Sequence, residues 1–117
     1  MIENRRGHYL GTEINEKWWR RYVKDGFFAR GKGEYWFDNS ALYFRRYLTD
    51  APIEIEFKDV IDVKVGKWHS GQWAGGKTVI KLLWEKDIER LCSGFVLSPD
   101  NRETDQLVKK IQSFCGQ

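Results

Sequence analysis

Proline, cysteine and methionine are scarce in this chain of 117 residues, which has two prolines, two cysteines and one methionine. Cys92 and Cys115 are too far apart for the spacings of zinc-binding or redox motifs, so the chain fits a reducing, cytoplasmic compartment better than a disulfide-rich secreted class. No apolar run approaches the length of a membrane span, and residues 1–11 lack the apolar segment of a signal peptide. The sequence therefore predicts one cytoplasmic domain that would meet a membrane only at its surface.

A strong excess of either charge is also lacking, because the net charge at pH 7 is only +3. The excess of basic residues lies in the first part of the chain, where residues 1–32 contain eight Lys or Arg against four Asp or Glu. Such a mild positive charge permits weak attraction to anions and does not demand a nucleic acid.

Aromatic residues are abundant, at 15% of the chain with six tryptophans. The segment EINEKWWRRYVKDG, residues 13–26, places its aromatic residues at helical spacing and its basic residues on the polar side. Asn15 is a suitable N-cap for a helix, and Gly26 is a suitable stop. We therefore predict a short amphipathic helix in the N-terminal part of the chain.

Beyond this segment the apolar residues alternate with a period of two, which indicates strands. The first two strands are FFARGKGEYWF and ALYFRRYL, joined by the turn DNS, and their predicted inward residues are Phe27, Ala29, Tyr35, Phe37, Leu42, Phe44 and Leu48. IEIEFK follows, and apolar residues at intervals of three then indicate one helical turn before VIDVKVGKW. TVIKLLWE and LCSGFVLS are the last two strands, joined by the turn KDIE.

The chain closes with SPDNRETDQLVKKIQSFCG, where the apolar residues return to helical spacing. Ser98 and Pro99 favour a helix start, and Gly116 favours a stop. The predicted apolar stripe is Leu107, Val108, Ile111, Phe114 and Cys115. Together these elements predict a mainly β member of the α+β class, with a curled antiparallel sheet or partly open barrel of about six or seven strands. The C-terminal helix would cap the sheet, and the short N-terminal helix would precede it.

This order of elements resembles the pleckstrin-homology-like (PH-like) superfold, in particular its GRAM-like and bacterial PH-like branch. The residues that carry the resemblance are GEYWFDNSALYFRR (33–46), IEIEFKDVIDVKV (53–65), TVIKLLWEKDIERLCSGFVLS (78–98) and the final helix. The resemblance implies a single domain over residues 1–117, with a PH-like core at 27–115 and an N-terminal extension at 1–26. It also implies a binding module rather than an enzyme.

Many PH domains bind phosphoinositides with basic residues around the loop between their first two strands. The resemblance would place Arg30, Lys32 and Arg45 nearest to that loop in this chain. Here, however, the loop is only DNS, and Asp38 adds a negative charge to it. This departure from the family pattern argues against tight phosphoinositide binding.

The segment GQWAGGKT, residues 71–78, matches the phosphate-binding loop G-x-x-x-x-G-K-[ST]. A phosphate-binding loop opens directly onto a helix, whose N-terminus helps to hold the phosphates. Here the lysine is followed by TVIKLLWE, which is β-branched and alternating, and the chain has no parallel-sheet pattern. We therefore interpret the segment as a loop between two strands, and a nucleotide-hydrolysing enzyme is the least favoured function.

Two segments outside the regular alternation combine tryptophan with basic residues. They either pack against the sheet or contact a protein partner or an anionic lipid surface. The candidate contact residues are Trp18, Trp19, Arg20, Arg21, Trp68, His69, Trp73 and Lys77.

No spacing in the sequence predicts a catalytic, cofactor-binding or metal site. The histidines and cysteines would have to meet through folding to form one. The favoured function is a non-catalytic binding module for a protein partner or an anionic membrane surface. The alternative is a nucleic-acid-binding barrel of the OB type, in which aromatic residues stack on bases, and the mild charge and the terminal helix argue against it.

Overall fold

The structure is a computed structural model that describes residues 2–24, 26–27, 30–47, 49 and 51–116. In this part of the chain there are ten strands, one 3₁₀ turn and one α-helix. The elements are β1 (Ile2–Ile14), β2 (Lys17–Arg21), β3 (Gly31–Phe37), β4 (Ala41–Arg46), β5 (Ile53–Glu56), the 3₁₀ turn (Phe57–Asp59), β6 (Val60–Gly66), β7 (Trp68–His69), β8 (Gln72–Trp73), β9 (Val79–Lys86), β10 (Glu89–Val96) and α1 (Asn101–Phe114).

The main sheet is antiparallel and has the order β5-β4-β3-β1-β10-β9-β6, with β2 paired to the end of β1. Strand β1 is the longest and forms the centre of this order. Its first half pairs with β3 and its second half with β10, and the two pairings overlap at His8 and Tyr9. A register shift at Gly11, where φ is +113°, bends β1 between the two halves. The sheet is therefore curled and open, with β5 and β6 as its two edges.

The core fills the concave side of the sheet and is rich in aromatic residues. Its largest fully buried side chains include Tyr9, Phe27, Tyr35, Phe37, Phe44, Phe57 and Phe95. Helix α1 adds Leu107 and Ile111 to the same cluster, and the ring of Phe114 stacks on that of Phe57 with centroids 5.7 Å apart. The predicted mainly β fold with an open antiparallel sheet and a C-terminal helix is thus confirmed.

The C-terminal helix starts slightly later than predicted. Asp100 is the N-cap, and its carboxylate accepts a hydrogen bond of 2.9 Å from the backbone N–H of Arg102. The predicted stripe does face the core, with Leu107 and Ile111 buried. The helix therefore closes over the sheet as expected.

The predicted N-terminal helix is wrong, because residues 13–21 continue β1, turn and return as β2. Asn15 and Glu16 both have positive φ, 54° and 57°, and form a two-residue hairpin turn between Ile14 and Lys17. Asn15 therefore acts as a turn residue and not as a helix cap. Aromatic and β-branched residues favour strands, and pairing with β1 outweighs the short run of helical spacing.

The predicted count of six or seven strands is also too low. The strands that were not predicted are β1, which lies in the expected N-terminal extension, β2, which was expected as a helix, and the small hairpin β7–β8, which was expected as a loop. The alternation itself is confirmed at Tyr35, Phe37, Leu42 and Phe44, which are all buried. Phe27 is buried too, although it lies in a turn before β3. The predicted inward positions Ala29 and Leu48 lie outside the described residues.

Candidate functional site

Four of the six tryptophans are exposed, and they are the four that the sequence singled out. The exposed fractions are 62% for Trp18, 63% for Trp19, 59% for Trp68 and 52% for Trp73. The other two are packed: Trp84 is buried in the core, and the half-buried Trp36 stacks on Tyr43. Large exposed aromatic side chains that lie close together mark a contact surface, because each one costs free energy in water.

Trp18 and Trp19 are exposed because of an irregularity in strand β2. Ile14 pairs with Lys17 and Glu13 pairs with Arg21, so β2 advances four residues while β1 advances one. The three residues between these pairs therefore bulge away from β1. The two indole rings make an edge-to-face pair in this bulge, with centroids 5.8 Å apart.

Trp68 and Trp73 face each other across the small hairpin β7–β8. They are cross-strand partners, and their ring centroids are 5.2 Å apart. The turn of the hairpin is formed by Ser70 and Gly71, with φ of 52° and 80°. A methyl group on Gly71 would lie 3.3 Å from the ring of Trp18, so the hairpin and the β2 bulge are in contact. The four indoles thus form one patch, which we call the tryptophan surface (Trp18, Trp19, Trp68 and Trp73).

The hairpin is held down on the convex side of the sheet by His69, which is only 2% exposed. The His69 ring lies directly on Gly94 of β10, where any side chain would overlap it. Its Nε2–H donates a 3.0 Å hydrogen bond to the carbonyl oxygen of Gly11. The backbone N–H of Ser70 donates to Oε2 of Glu13 at 2.9 Å. His69 therefore positions the hairpin and does not itself reach a partner.

The far end of the same loop is fixed by further contacts. Ala74 packs on an apolar cluster of Leu10, Val79 and Val96 on the convex side of the sheet. The Lys67 ammonium donates to the carbonyl of Gly76 at 3.0 Å. The loop that contains GQWAGGKT is therefore anchored at both ends, and it leads into strand β9. The predicted strand-joining loop is confirmed, because the residues after Lys77 are extended and do not start a helix.

A basic cleft of about 690 Å³ lies beside Trp73 on the same side of the sheet. Its basic side chains are Arg6, His8, Lys32 and Lys77, and no carboxylate lines it among the residues that the structure describes. His8 and Lys32 are direct cross-strand partners on β1 and β3. We call this group the basic cleft. Its chemistry suits an anionic group, which would find several positive charges and no competing acid.

The electrostatics of the basic cleft act on His8. Burial lowers the pKa of His8, and the positive charges of Lys32, Lys77 and Arg30 lower it further. Without a bound anion, the positive charges around the cleft disfavour protonation of the His8 ring. A bound anion would reverse that effect and favour the protonated ring.

The other predicted basic residues are placed less favourably for a ligand. Arg20 is exposed in the β2 bulge, whereas Arg21 is half-buried, with a pKa that burial and the nearby Arg30 lower. Arg45 forms a 2.7 Å ion pair with Glu34 and is thereby occupied. Of the residues near the family's phosphoinositide position, only Lys32 lines the basic cleft.

Sequence reasoning missed Arg6 and His8 as site residues. Both lie on β1, where they alternate with Gly7, but their role depends on pairing with β3 and on the loop that carries Lys77. Residues 2–9 read IENRRGHY and show no alternation of apolar and polar side chains, so no local signal in the sequence indicated a strand there.

No family model matches this chain, and no curated protein matches it either. Among the described residues, no helix has both the length and the apolar character needed to cross a bilayer. The geometry of the site is therefore the basis for assigning a function.

Proposed function

We propose that this chain is a non-catalytic, PH-like module that binds the surface of anionic membranes. The tryptophan surface would enter the headgroup region, and the basic cleft would hold an anionic headgroup. The observation that carries the proposal is the union of four exposed indoles and an acid-free basic cleft on one side of the sheet, joined at Trp73. Such indoles favour the boundary between headgroups and acyl chains, where basic residues meet anionic lipid.

The PH-like part of the proposal is supported by the strand order. Strands β1, β3, β4 and β5 form one antiparallel meander, and β6, β9 and β10 form a second, with β1 next to β10. Helix α1 follows the last strand and packs on the core. The resemblance was drawn from the segments that form β3, β4, β5, β6, β9, β10 and α1. Strand β1, which lies in the expected N-terminal extension, joins the two meanders, and β2, β7 and β8 carry the exposed tryptophans.

The two halves of the site contribute comparable free energies. A half-exposed indole that becomes buried contributes roughly 1–2 kcal/mol. Each Lys or Arg near an anionic bilayer contributes about 1 kcal/mol. Since neither term alone offsets the cost of immobilising the protein, we expect binding to need both the indoles and the charges.

The test is a two-dimensional ¹H–¹⁵N spectrum of the full chain, with its six indole N–H signals, during titration with lipid nanodiscs. With nanodiscs that contain phosphatidylserine, we expect the signals of Trp18, Trp19, Trp68 and Trp73 to shift or broaden. Trp84 and Trp36 are internal controls and should stay unchanged. Nanodiscs of phosphatidylcholine alone should have little effect, because they lack the negative charge.

Two results would overturn the membrane proposal. One is the absence of any indole response to anionic nanodiscs at saturating lipid. The other is an equal response of all six indoles, which would indicate unfolding on the lipid. In the first case the tryptophan surface would be assigned to a protein partner, and a pull-down with Trp68→Ala as the negative control would follow.

A further inference from the structure

We propose that Glu13, His69 and Cys92 form a binding site for a transition-metal ion, with zinc(II) as the ion that fits the donors best. One ligand atom from each residue lies within 4.8 Å of the other two, and all three residues are buried. The inference rests on side chains beneath the β7–β8 hairpin and does not depend on membrane binding.

The backbone brings the three ligands together from three elements. Glu13 of β1 and Cys92 of β10 are direct cross-strand partners, so their side chains project from the same side of the sheet. His69 of β7 reaches them from above, because Gly94 leaves room for its ring on the sheet surface. No two of these residues are close in sequence.

The hydrogen bonding of His69 leaves a ligand nitrogen free. A carbonyl oxygen only accepts, so the 3.0 Å contact with Gly11 requires that Nε2 carries the proton. In the neutral ring Nδ1 then has a lone pair. Nδ1 is buried, makes no hydrogen bond to the described residues, and lies 3.8 Å from Oε2 of Glu13. A ring N–H bound to a backbone carbonyl is the usual outer contact of a metal-ligating histidine.

Two acceptor atoms that face each other in a buried site favour a proton or a metal ion between them. The 3.8 Å between Nδ1 of His69 and Oε2 of Glu13 is longer than a hydrogen bond, so a shared proton does not bridge them in this geometry. A metal ion meets the same need without charging the ring. The buried hydroxyl of Ser70, which also has no hydrogen-bond partner among the described residues, lies in the same cleft.

The chemistry of the three ligand atoms determines which metal ion the site would prefer. One thiolate, one imidazole nitrogen and one carboxylate oxygen are common ligands of zinc(II), and the two negative charges balance the charge of the ion. The Cys92 thiol gives up its proton to solvent as the sulfur–metal bond forms. Tetrahedral ligands around zinc are about 3.5 Å apart, which requires the three side chains to close by about 1 Å.

The surroundings leave the fourth coordination position open. The cleft above the three ligands has a volume of about 490 Å³, and Trp18 and Trp68 form part of its wall. The charged groups that face it are Lys81, which opposes a cation, and Glu16, which is paired with Lys64 at 3.0 Å. A water molecule or the Ser70 hydroxyl would complete the coordination.

The test is titration of the full chain, freed of metal, with cobalt(II) as a spectroscopic substitute for zinc. We expect one equivalent to produce the sulfur-to-cobalt charge-transfer band and the visible bands of tetrahedral coordination. Zinc should displace the cobalt. Zinc at a hundredfold excess over its Kd should also raise the Tm by about 10 °C.

The matched variants are Cys92→Ser and Cys115→Ser, since these are the two cysteines of the chain. Cys92→Ser should abolish the charge-transfer band, and Cys115→Ser should retain it. Glu13→Gln should lower the zinc affinity at least about tenfold while keeping the sulfur band. If Cys92→Ser fails to fold, His69→Gln serves in its place and should lose the tetrahedral bands.

The proposal is overturned if cobalt at saturating concentration gives no charge-transfer band in the folded protein. It is equally overturned if the band is lost in Cys115→Ser and kept in Cys92→Ser. Ring ¹⁵N signals that show both nitrogens of His69 protonated in the presence of zinc would assign the group to a buried imidazolium–carboxylate pair instead.

Discussion

Single residues determine how the β7–β8 hairpin lies on the sheet. Gly94 is the residue that lets the His69 ring reach the backbone of β10, and Gly11 supplies the carbonyl that fixes the ring. Ser70 adopts a positive φ of 52°, a conformation that few residues other than glycine adopt. The position of Trp68 beside Trp18 therefore depends on small residues at some distance along the chain.

At this scale His8 reports on the occupancy of the basic cleft. Its pKa should lie below the ordinary value of 6.5, because burial and three basic neighbours disfavour the charged ring. Sulfate, which keeps its charge between pH 5 and 8, should raise that pKa by favouring the imidazolium. By linkage, sulfate affinity should increase as the pH falls through the pKa of His8 in the bound state.

The measurement is the pH dependence of the His8 ring signals by NMR, with and without sulfate. Sodium chloride at matched ionic strength is the control, and the signals of the buried His69 are an internal reference. No change in the pKa of His8 with sulfate would show that the cleft does not hold anions, and a pKa above 6.5 without sulfate would contradict the effect of burial and the basic neighbours.

At the scale of elements, a chain of buried hydroxyl groups joins three strands and the segment before β3. Trp84 donates its indole N–H to Oγ of Ser93 at 3.0 Å. Ser93 and Thr12 are 2.6 Å apart, Thr12 and Tyr9 are also 2.6 Å apart, and Tyr9 donates to the carbonyl of Phe27 at 2.9 Å. Since the indole only donates and the carbonyl only accepts, each hydroxyl must donate in the same direction along the chain.

Ser93→Ala should break this chain at the hydroxyl that links Trp84 to Thr12. It removes the acceptor of the Trp84 indole and the partner of Thr12, and both groups remain buried. We expect the free energy of unfolding to fall by about 1–3 kcal/mol. Urea denaturation followed by circular dichroism measures the change.

Ser113→Ala is the matched control, because that hydroxyl is exposed on α1 and donates only to the carbonyl of Lys110. Its effect should stay within about 0.5 kcal/mol. Equal losses in the two variants would contradict a structural role for the buried hydroxyl chain.

At the scale of the whole molecule, the position of the charges matters more than the net charge of +3. Lys32 and Lys77 line the basic cleft, whereas Lys110 is exposed on helix α1. If the membrane-binding surface lies on one side of the sheet, substitutions that change the net charge equally should weaken membrane binding by different amounts, depending on where they lie.

Lys32→Gln and Lys77→Gln should each weaken binding to phosphatidylserine vesicles about fivefold, since each removes about 1 kcal/mol of attraction. Lys110→Gln changes the net charge equally and should weaken it by less than twofold. Vesicle co-sedimentation at two salt concentrations measures both effects. Equal weakening by all three variants would show attraction by net charge alone, without a site.

Local sequence patterns were sufficient for most of the strands and for the final helix. Alternation placed Tyr35, Phe37, Leu42 and Phe44 in the core, because a strand buries every second side chain wherever it pairs. The same patterns failed for residues 13–26, where helical spacing over a few residues competed with the strand preference of the aromatic residues. Pairing with the end of β1 decided that competition, and residues 2–9 show no apolar alternation that would have predicted β1 as a strand.

The sequence by itself determined the fold class, the side of β3 and β4 that faces the core, and the four tryptophans that stand outside the regular alternation, but it did not predict strand β1. The tertiary structure decided which residues meet: His8 with Lys32, Trp18 with Gly71, and Glu13 with His69 and Cys92. The physical reason is that buried side chains recur at regular intervals along a strand or a helix, so a short segment of sequence shows which residues face the core. The pairing of β1 with β3 and β10, by contrast, depends on contacts between residues far apart in the chain.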